Sequence, residues 1–127
     1  MDIISAHTGA ICPGRQCMEI ELLPGGSEHR LRVGAPGPDD RYVPSANRLF
    51  ASAANVLGRR SIGIILTGMG DDGLEGAKAI RDVGGVVIAE SQETAVVYGM
   101  PGAAVRAGVA SDSMPLGQIA DYLAGLH

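Results

Sequence analysis

Residues 62–73 read IGIILTGMGDDG, an unbroken apolar segment that runs directly into a glycine-rich turn. Apolar runs without polar alternation are typical of parallel strands that are covered on both faces. Gly68, Gly70 and Gly73 predict a tight turn after the strand. The apolar spacing over residues 74–83 then predicts a helix. A strand, a turn and a helix in this order indicate an α/β fold.

The segments that follow repeat this alternation of strand and helix. Residues 86–89 predict a second buried strand, and residues 108–110 predict a brief third one. Pro101 predicts the start of a short helix that ends at Arg106, and Pro115 predicts the start of the last helix. We therefore expect a three-layer α/β domain with a mostly parallel sheet and helices on both faces.

The N-terminal side of the chain has a different pattern. Residues 9–12 and 17–23 predict short strands, and residues 29–33 alternate again after a Pro-Gly-Gly turn signal. These segments add an antiparallel β-hairpin to the parallel sheet. Between the hairpin and the sheet, Pro44 suits the first turn of a helix that Gly58 ends.

Composition and charge exclude several classes of protein. The chain has 127 residues, 46% of them hydrophobic, which is enough for one domain with a buried core. A net charge of −4 argues against nucleic acid as a partner, because phosphate backbones are bound by clustered Lys and Arg. No apolar stretch approaches the roughly 18 residues that span a bilayer, and a secretory signal is lacking. We expect a cytoplasmic protein that binds neither nucleic acid nor membrane.

Metal and cofactor binding are not expected either. Cys12 and Cys17 lie five residues apart, which is not a metal-ligand spacing, and they predict no disulfide framework. Asp71 and Asp72 are adjacent acids, but a Mg²⁺ site needs further carboxylates or substrate phosphates. No third acid can be placed beside them from the sequence.

The turn itself matches the dinucleotide-binding fingerprint G-x-G-x-x-G at residues 68–73, and Glu90 ends the next strand where a ribose-binding acid is expected. That fingerprint works because a helix N-terminus offers N–H groups and partial positive charge to a pyrophosphate. Asp71 and Asp72 would place two carboxylates at the same terminus, and like charges repel. Dinucleotide binding is therefore the least favoured interpretation.

A second interpretation makes one of the two aspartates the functional group. A helix N-terminus favours an ionised carboxylate, and flanking glycines leave backbone N–H groups accessible. A fixed carboxylate beside free amides suits acyl hydrolysis, in which the acid orients a histidine and the amides bind an oxyanion. The structural alternative is that Asp71 or Asp72 only caps the helix that follows, with Asp71 in the more ordinary position.

Three segments of the chain resemble the methylesterase domain of the CheB-type protein-glutamate methylesterases. Residues 62–73 are similar to the family's strand followed by L-T-G-M-G-x-D-G. Residues 89–101 (AESQETAVVYGMP) resemble its loop ending in V-V-[FY]-G-M-P, and residues 114–119 (MPLGQI) resemble its P-L-x-x-I at the final helix. The resemblance runs from about residue 8 onward and implies the C-terminal half of the catalytic domain.

The resemblance also implies an activity and a set of site residues. The family hydrolyses the methyl esters of glutamyl side chains on chemoreceptors, and deamidates certain receptor glutamines, with a serine, a histidine and an aspartate. Asp72 matches the catalytic aspartate, whereas Asp71 falls on a variable position. The backbone amide of Met69 matches an oxyanion contributor, so we assign Met69 and Gly70 to oxyanion or substrate binding. A methylated chemoreceptor is the implied partner, and no cofactor is implied.

The other two triad residues are missing from the pattern. None of the eight serines lies in a G-x-S-x-G elbow, and none of the three histidines lies in a Q-H-M-P-like segment. We therefore expect residues 1–127 to form a single partial domain, ragged over residues 1–8, that is inactive alone. It would lack the N-terminal half of the catalytic domain and the receiver domain of the full-length enzyme.

Two further expectations follow from a partial domain. A cut α/β domain exposes a sheet edge and apolar helix faces, so the isolated chain should self-associate. A non-catalytic interaction module of the same fold is the alternative to an enzyme part. The chain also departs from the family pattern, with Asn47 where Asp is frequent, Cys17 where His is frequent, and Glu-Ser-Gln at residues 90–92 for a Gln-Asp/Asn-Glu run.

Overall fold

A computed structural model describes residues 4–126 of the chain. Residues 1–3, which belong to the segment predicted to be ragged, and the terminal His127 lie outside the described residues. The regular elements in chain order are β1 (Cys17–Leu22), β2 (His29–Gly34), α1 (Ala46–Leu57), β3 (Ile62–Ile65), α2 (Leu74–Asp82), β4 (Val86–Glu90), α3 (Met100–Arg106), β5 (Asp112–Met114) and α4 (Leu116–Ala124).

The strands form two separate sheets. β3, β4 and β5 make a parallel sheet in that order, with Ile64 opposite Ile88 and Ile88 opposite Asp112. β1 and β2 pair as an antiparallel hairpin, from Cys17 opposite Gly34 to Leu22 opposite His29. The predicted fold class is confirmed: an α/β domain with a parallel sheet and an N-terminal hairpin.

Helix α1 lies between the hairpin and α2, and it brings the start of one helix next to the start of the other. A Cβ atom at Gly76 would lie 2.6 Å from the Phe50 Cβ and 3.0 Å from the Asn47 Cα. The close approach of α1 and α2 therefore requires glycine at this position. The buried side chains below this contact form one core, made of Ala54, Ile65, Ala77, Ile80, Val87 and Ala104.

Strand β3 is an edge strand of the parallel sheet, and its two faces are buried to different degrees. Gly63 and Ile65 are buried on the face where α1 and α2 pack. On the opposite face, Ile62 is 39% exposed, and Leu66 directly after the strand is 42% exposed. This side of β3 is therefore less covered than the side that faces α1 and α2.

Two strand predictions were wrong. Residues 9–12 form no strand, because the chain there runs as a loop into the hairpin. The third parallel strand is Asp112–Met114, not residues 108–110. Val109 and Ala110 instead pack against the core, and the Val109 amide donates to the Ala104 carbonyl at the end of α3. Their apolar character reflects core packing under a helix, which a short apolar run does not distinguish from a strand.

Candidate active site

The carboxyl end of β3 leads into the glycine loop, residues 67–73. Gly70 and Gly73 have φ values of +79° and +92°, a region that glycine adopts without strain. Gly73 occupies the N-cap position of α2, and neither the Asp71 nor the Asp72 side chain accepts an amide of that helix. The structural alternative, in which Asp71 or Asp72 caps the helix that follows, is therefore wrong.

The Asp72 side chain binds the start of a different helix. Its carboxylate is only 6% exposed; Oδ2 accepts the Ala46 amide at 2.7 Å and Oδ1 accepts the Asn47 amide at 3.1 Å. Ser45, the N-cap residue of α1, accepts the Arg48 amide at 3.3 Å. Three first-turn amides of α1 thus have acceptors. The Asp72 carboxylate therefore lies at the N-terminus of α1, where the backbone N–H groups point toward it.

Asn47 makes the reverse connection. Its Oδ1 accepts the amide of Gly76, in the first turn of α2, at 2.8 Å. Asp72, which precedes α2, therefore holds the start of α1, while Asn47 in α1 holds the first turn of α2. This reciprocal arrangement fixes the direction of the Asp72 carboxylate without any charged partner from the described residues.

The Asp72 carboxylate also borders a cavity of about 250 Å³. A carboxylate offers about four lone-pair positions, of which the two amides use two. Acceptor capacity therefore remains for an N–H group that enters the cavity. The other lining residues are mostly apolar: Cys12, Met18, Pro44, Ser45, Ala46 and Leu49.

The backbone amides of Met69 and Gly70 are without hydrogen-bond partners in the described part of the chain. Met69 is 78% exposed. The loop of residues 91–99 supports the backbone from behind: the Gly68 amide donates to the Val97 carbonyl at 3.0 Å. A Cβ at Gly99 would lie 2.7 Å from the Gly68 oxygen and 3.0 Å from the Gly70 nitrogen. The glycine loop is therefore held against the loop of residues 91–99, and two of its backbone donors have no acceptor within residues 4–126.

Glu90 joins the same two loops and is 2% exposed. Its Oε1 accepts the Thr67 amide at 2.9 Å, and its Oε2 accepts the Thr94 hydroxyl at 2.8 Å. The Thr94 oxygen in turn accepts the Leu116 amide at the start of α4. A carboxylate this deeply buried between two loops is not accessible to a ribose, which argues against the dinucleotide interpretation.

An ion-pair network fixes the segment that precedes α1. Arg48 bridges Asp40 at 2.6 Å and Glu19 at 3.0 Å. Hydrogen bonds to Glu19 and Asp40 raise the pKa of Arg48 above its ordinary value. The Gly37 amide, followed by Arg48, lowers the pKa of Asp40, although partial burial opposes the shift. The segment between Gly37 and α1 is thus anchored next to the glycine loop.

A sequence profile described as CheB methylesterase matches residues 1–123. The chain belongs to the CheB methylesterase family. Among similar proteins, the protein-glutamate methylesterase/protein-glutamine glutaminase 1 of Myxococcus xanthus is 44% identical over 125 residues, which are 98% of this chain and 36% of that protein. The corresponding protein 3 of Geobacter sulfurreducens is 48% identical over 108 residues, which are 85% of this chain and 29% of that protein.

A solved structure of this family has the same fold. The CheB methylesterase catalytic domain of Thermotoga maritima superposes with a TM-score of 0.80 at 32% identity, over 87% of this chain and 58% of that domain. The recognition made from the three sequence segments is confirmed. The chain spans about a third of the length of the curated relatives named here, and little more than half of the solved catalytic domain.

The CheB-family motifs identified Asp72, Met69 and Gly70, and these residues lie together in the glycine loop after β3. Sequence reasoning missed the contacts of Tyr42, whose hydroxyl reaches Asp71, and the role of Asn47. Asn47 could be noticed in the sequence as a departure from the family pattern, whereas no sequence feature pointed to Tyr42.

Within residues 4–126, no three His, Cys, Asp or Glu side chains group as ligands for a metal ion. Among the described helices, none is both long and apolar enough to cross a bilayer.

Proposed function

We propose that this chain supplies the aspartate and part of the oxyanion hole of a protein-glutamate methylesterase. In this proposal Asp72 orients a histidine, and that histidine and the nucleophilic serine come from a part of the catalytic domain that the chain does not contain. The substrate is a glutamyl methyl ester on a chemoreceptor. The chain alone is inactive, because an aspartate without a base and a nucleophile does not cleave esters.

The observation that carries this proposal is the environment of Asp72. The carboxylate is buried and is held by two backbone amides of α1, yet it borders a mostly apolar cavity of about 250 Å³. An anion that is fixed, desolvated and still able to accept a hydrogen bond suits the orienting acid of a triad. A carboxylate that only capped a helix would not need an open space beside it.

The chemistry assigned to the glycine loop follows from its free amides. The serine oxygen attacks the ester carbonyl while the histidine removes the serine proton, and a tetrahedral intermediate with a negative oxygen forms. The Met69 amide, with Gly70 beside it, donates to that oxygen. Methanol leaves with the proton that the histidine returns, and water then hydrolyses the acyl-enzyme in the same way.

The open side of β3 is the proposed attachment site for the rest of the catalytic domain. Its backbone lies at the edge of the sheet, and Ile62 and Leu66 expose apolar surface next to it. Without that part, the same edge would pair with another copy, so we predict self-association of the isolated chain. Light scattering that finds a monodisperse monomer at high concentration would contradict this. The cytoplasmic location stays a prediction.

The test of the catalytic assignment uses a hybrid enzyme. The whole chain replaces the matching segment of the Myxococcus xanthus relative, whose N-terminal part provides the serine and histidine that the family pattern requires. We expect the hybrid to release methanol from a methylated chemoreceptor. Asp72→Asn should lower the rate by about 10⁴-fold, because an orienting acid that becomes an amide favours the wrong histidine tautomer.

Asp71→Asn is the matched control, since Asp71 is adjacent, half-exposed and not assigned to the triad. Its rate should stay within a few-fold of the unsubstituted hybrid. An Asp72→Asn variant with the full rate refutes the assignment. A hybrid that shows native circular dichroism but no methanol release also refutes it.

A further inference from the structure

The glycine loop has a second support, on the side opposite the loop of residues 91–99. The ring of Tyr42 lies against Gly70, and a Cβ at Gly70 would be 2.5 Å from the Tyr42 hydroxyl oxygen and 3.1 Å from its Cζ. Gly70 is therefore enclosed between Tyr42 and Gly99, which contacts the Gly70 nitrogen from the other side. No other side chain could occupy position 70 without displacing one of these contacts.

The Tyr42 hydroxyl also bonds twice to the residue after Gly70. It donates to Asp71 Oδ1 at 3.0 Å and accepts the Asp71 backbone amide at 3.4 Å. The Arg41 guanidinium lies 5.5 Å from the centre of the Tyr42 ring and 4.0 Å from Asp71 Oδ1. Asp71, on the position that varies within the family pattern, thus binds the Tyr42 hydroxyl through both its side chain and its backbone.

The support for Tyr42 is itself fixed at both ends. On its N-terminal side, Asp40 is paired with Arg48 and accepts the Gly37 amide at 2.6 Å. On its C-terminal side, the chain enters α1, whose first amide is held by Asp72. Tyr42 therefore links Gly70 to the start of α1, to which the Asp72 carboxylate is bound.

We propose that Tyr42 is a positioning residue for the oxyanion site, an inference that rests on the proposed function. Gly70 has no side chain to restrict its φ and ψ angles, so the peptide groups on either side of it can reorient easily. Contact with the Tyr42 ring and the hydrogen bonds to Asp71 stop that reorientation. The Met69 and Gly70 amides then keep one arrangement, in which they bind the proposed oxyanion.

The experiment compares Tyr42→Phe, Tyr42→Ala and Tyr122→Phe in the hybrid enzyme. Tyr42→Phe removes both hydrogen bonds and keeps the ring, and Tyr42→Ala removes the ring as well. We expect kcat to fall about tenfold for Tyr42→Phe and about 10²-fold for Tyr42→Ala, with KM within twofold, because misplaced donors weaken transition-state binding. Tyr122→Phe, on α4 and away from the loop, should change neither constant.

A second measurement uses the full chain without the hybrid. In amide NMR spectra, Tyr42→Phe should shift and broaden the Met69 and Gly70 signals, whereas Tyr122→Phe should leave them unchanged. Tyr42→Phe keeps the ring in place, so it tests the proposal even where Tyr42→Ala fails to fold.

The outcomes separate this inference from the proposed function. Unchanged kcat in Tyr42→Phe, together with a large loss in Asp72→Asn, refutes the role of Tyr42 alone. A rise in KM at constant kcat makes Tyr42 a substrate contact and also refutes it. Full activity of Asp72→Asn refutes the proposed function instead.

Discussion

Two buried carboxylates lie at the carboxyl end of the parallel sheet, and they do different things. Asp72, after β3, is 6% exposed and accepts two backbone amides of α1. Glu90, at the end of β4, is 2% exposed and accepts one backbone amide and the Thr94 hydroxyl. Among the described residues, neither forms an ion pair. Asp72 borders a cavity of about 250 Å³.

Burial and hydrogen bonding of a carboxylate do not by themselves indicate a functional acid. Glu90 joins the two loops and uses its oxygens on the protein, so it is a structural carboxylate. Both carboxylates keep spare lone pairs by this count, but Asp72 has a cavity of about 250 Å³ beside it. What lies next to the unused lone pairs separates the two roles.

The largest difference in stability is expected from removal of the two side chains. Glu90→Ala removes a carboxylate that is 2% exposed, leaves the Thr67 amide without its acceptor, and should cost about 3 kcal/mol in the free energy of unfolding. Asp72→Ala should cost about 1.5 kcal/mol, in the range of a lost helix cap, because water can enter the adjacent cavity. Urea denaturation of the full chain measures both. A larger loss in Asp72→Ala would show that the cavity stays dry.

The packing of the glycine loop against the loop of residues 91–99 is tested at Gly99. Gly99→Ala places a methyl group 2.7 Å from the Gly68 oxygen and should cost about 2 kcal/mol through overpacking. Gly117→Ala, in α4 with no atom within 4 Å, is the matched control and should stabilise the chain by up to about 1 kcal/mol. If thermal unfolding shows equal midpoints for the two variants, the loops are not packed as described.

Replacing each carboxylate with its isosteric amide should change the free energy of unfolding by a smaller amount. Glu90→Gln should change the free energy of unfolding by less than about 0.5 kcal/mol, because the Thr94 hydroxyl can exchange its donor and acceptor roles. Asp72→Asn should cost about 1 kcal/mol, because one of the two α1 amides then faces an NH₂ group. Chemical denaturation at neutral pH distinguishes them. The reverse order would contradict the hydrogen-bond assignments.

The smallest effect concerns Asp40, a carboxylate that has a cationic partner. Its pKa is lowered from the ordinary value of 3.8, first by the Gly37 amide and then by Arg48. A lowered folded-state pKa stabilises the fold above pH 3.8, and that stabilisation is lost as the pH falls through the lowered pKa. Asp40→Asn should therefore be less stable than the unsubstituted chain at pH 6, with the difference disappearing in acid. A constant difference across this range would exclude ionisation as the cause.

Much of the fold was predictable because its signals are local. The apolar run at residues 62–66, the glycines after it and the prolines at 101 and 115 marked a strand, a turn and two helix starts, and the structure has each of them. A prediction failed where a short apolar segment fits either a strand or a loop packed on the core. Val109 and Ala110 are such a segment, and they pack against the core instead of forming a strand.

The sequence by itself determined the α/β fold, the family and the position of Asp72 in the glycine loop. Tertiary structure decided what that carboxylate does: its amide partners lie 25 and 26 residues away, and Tyr42 and Asp71 are 29 residues apart. Spacing within one element predicts contacts over three or four residues, whereas these contacts depend on how α1 packs against α2. The environment of Asp72 is therefore a property of helix packing, which no local pattern specifies.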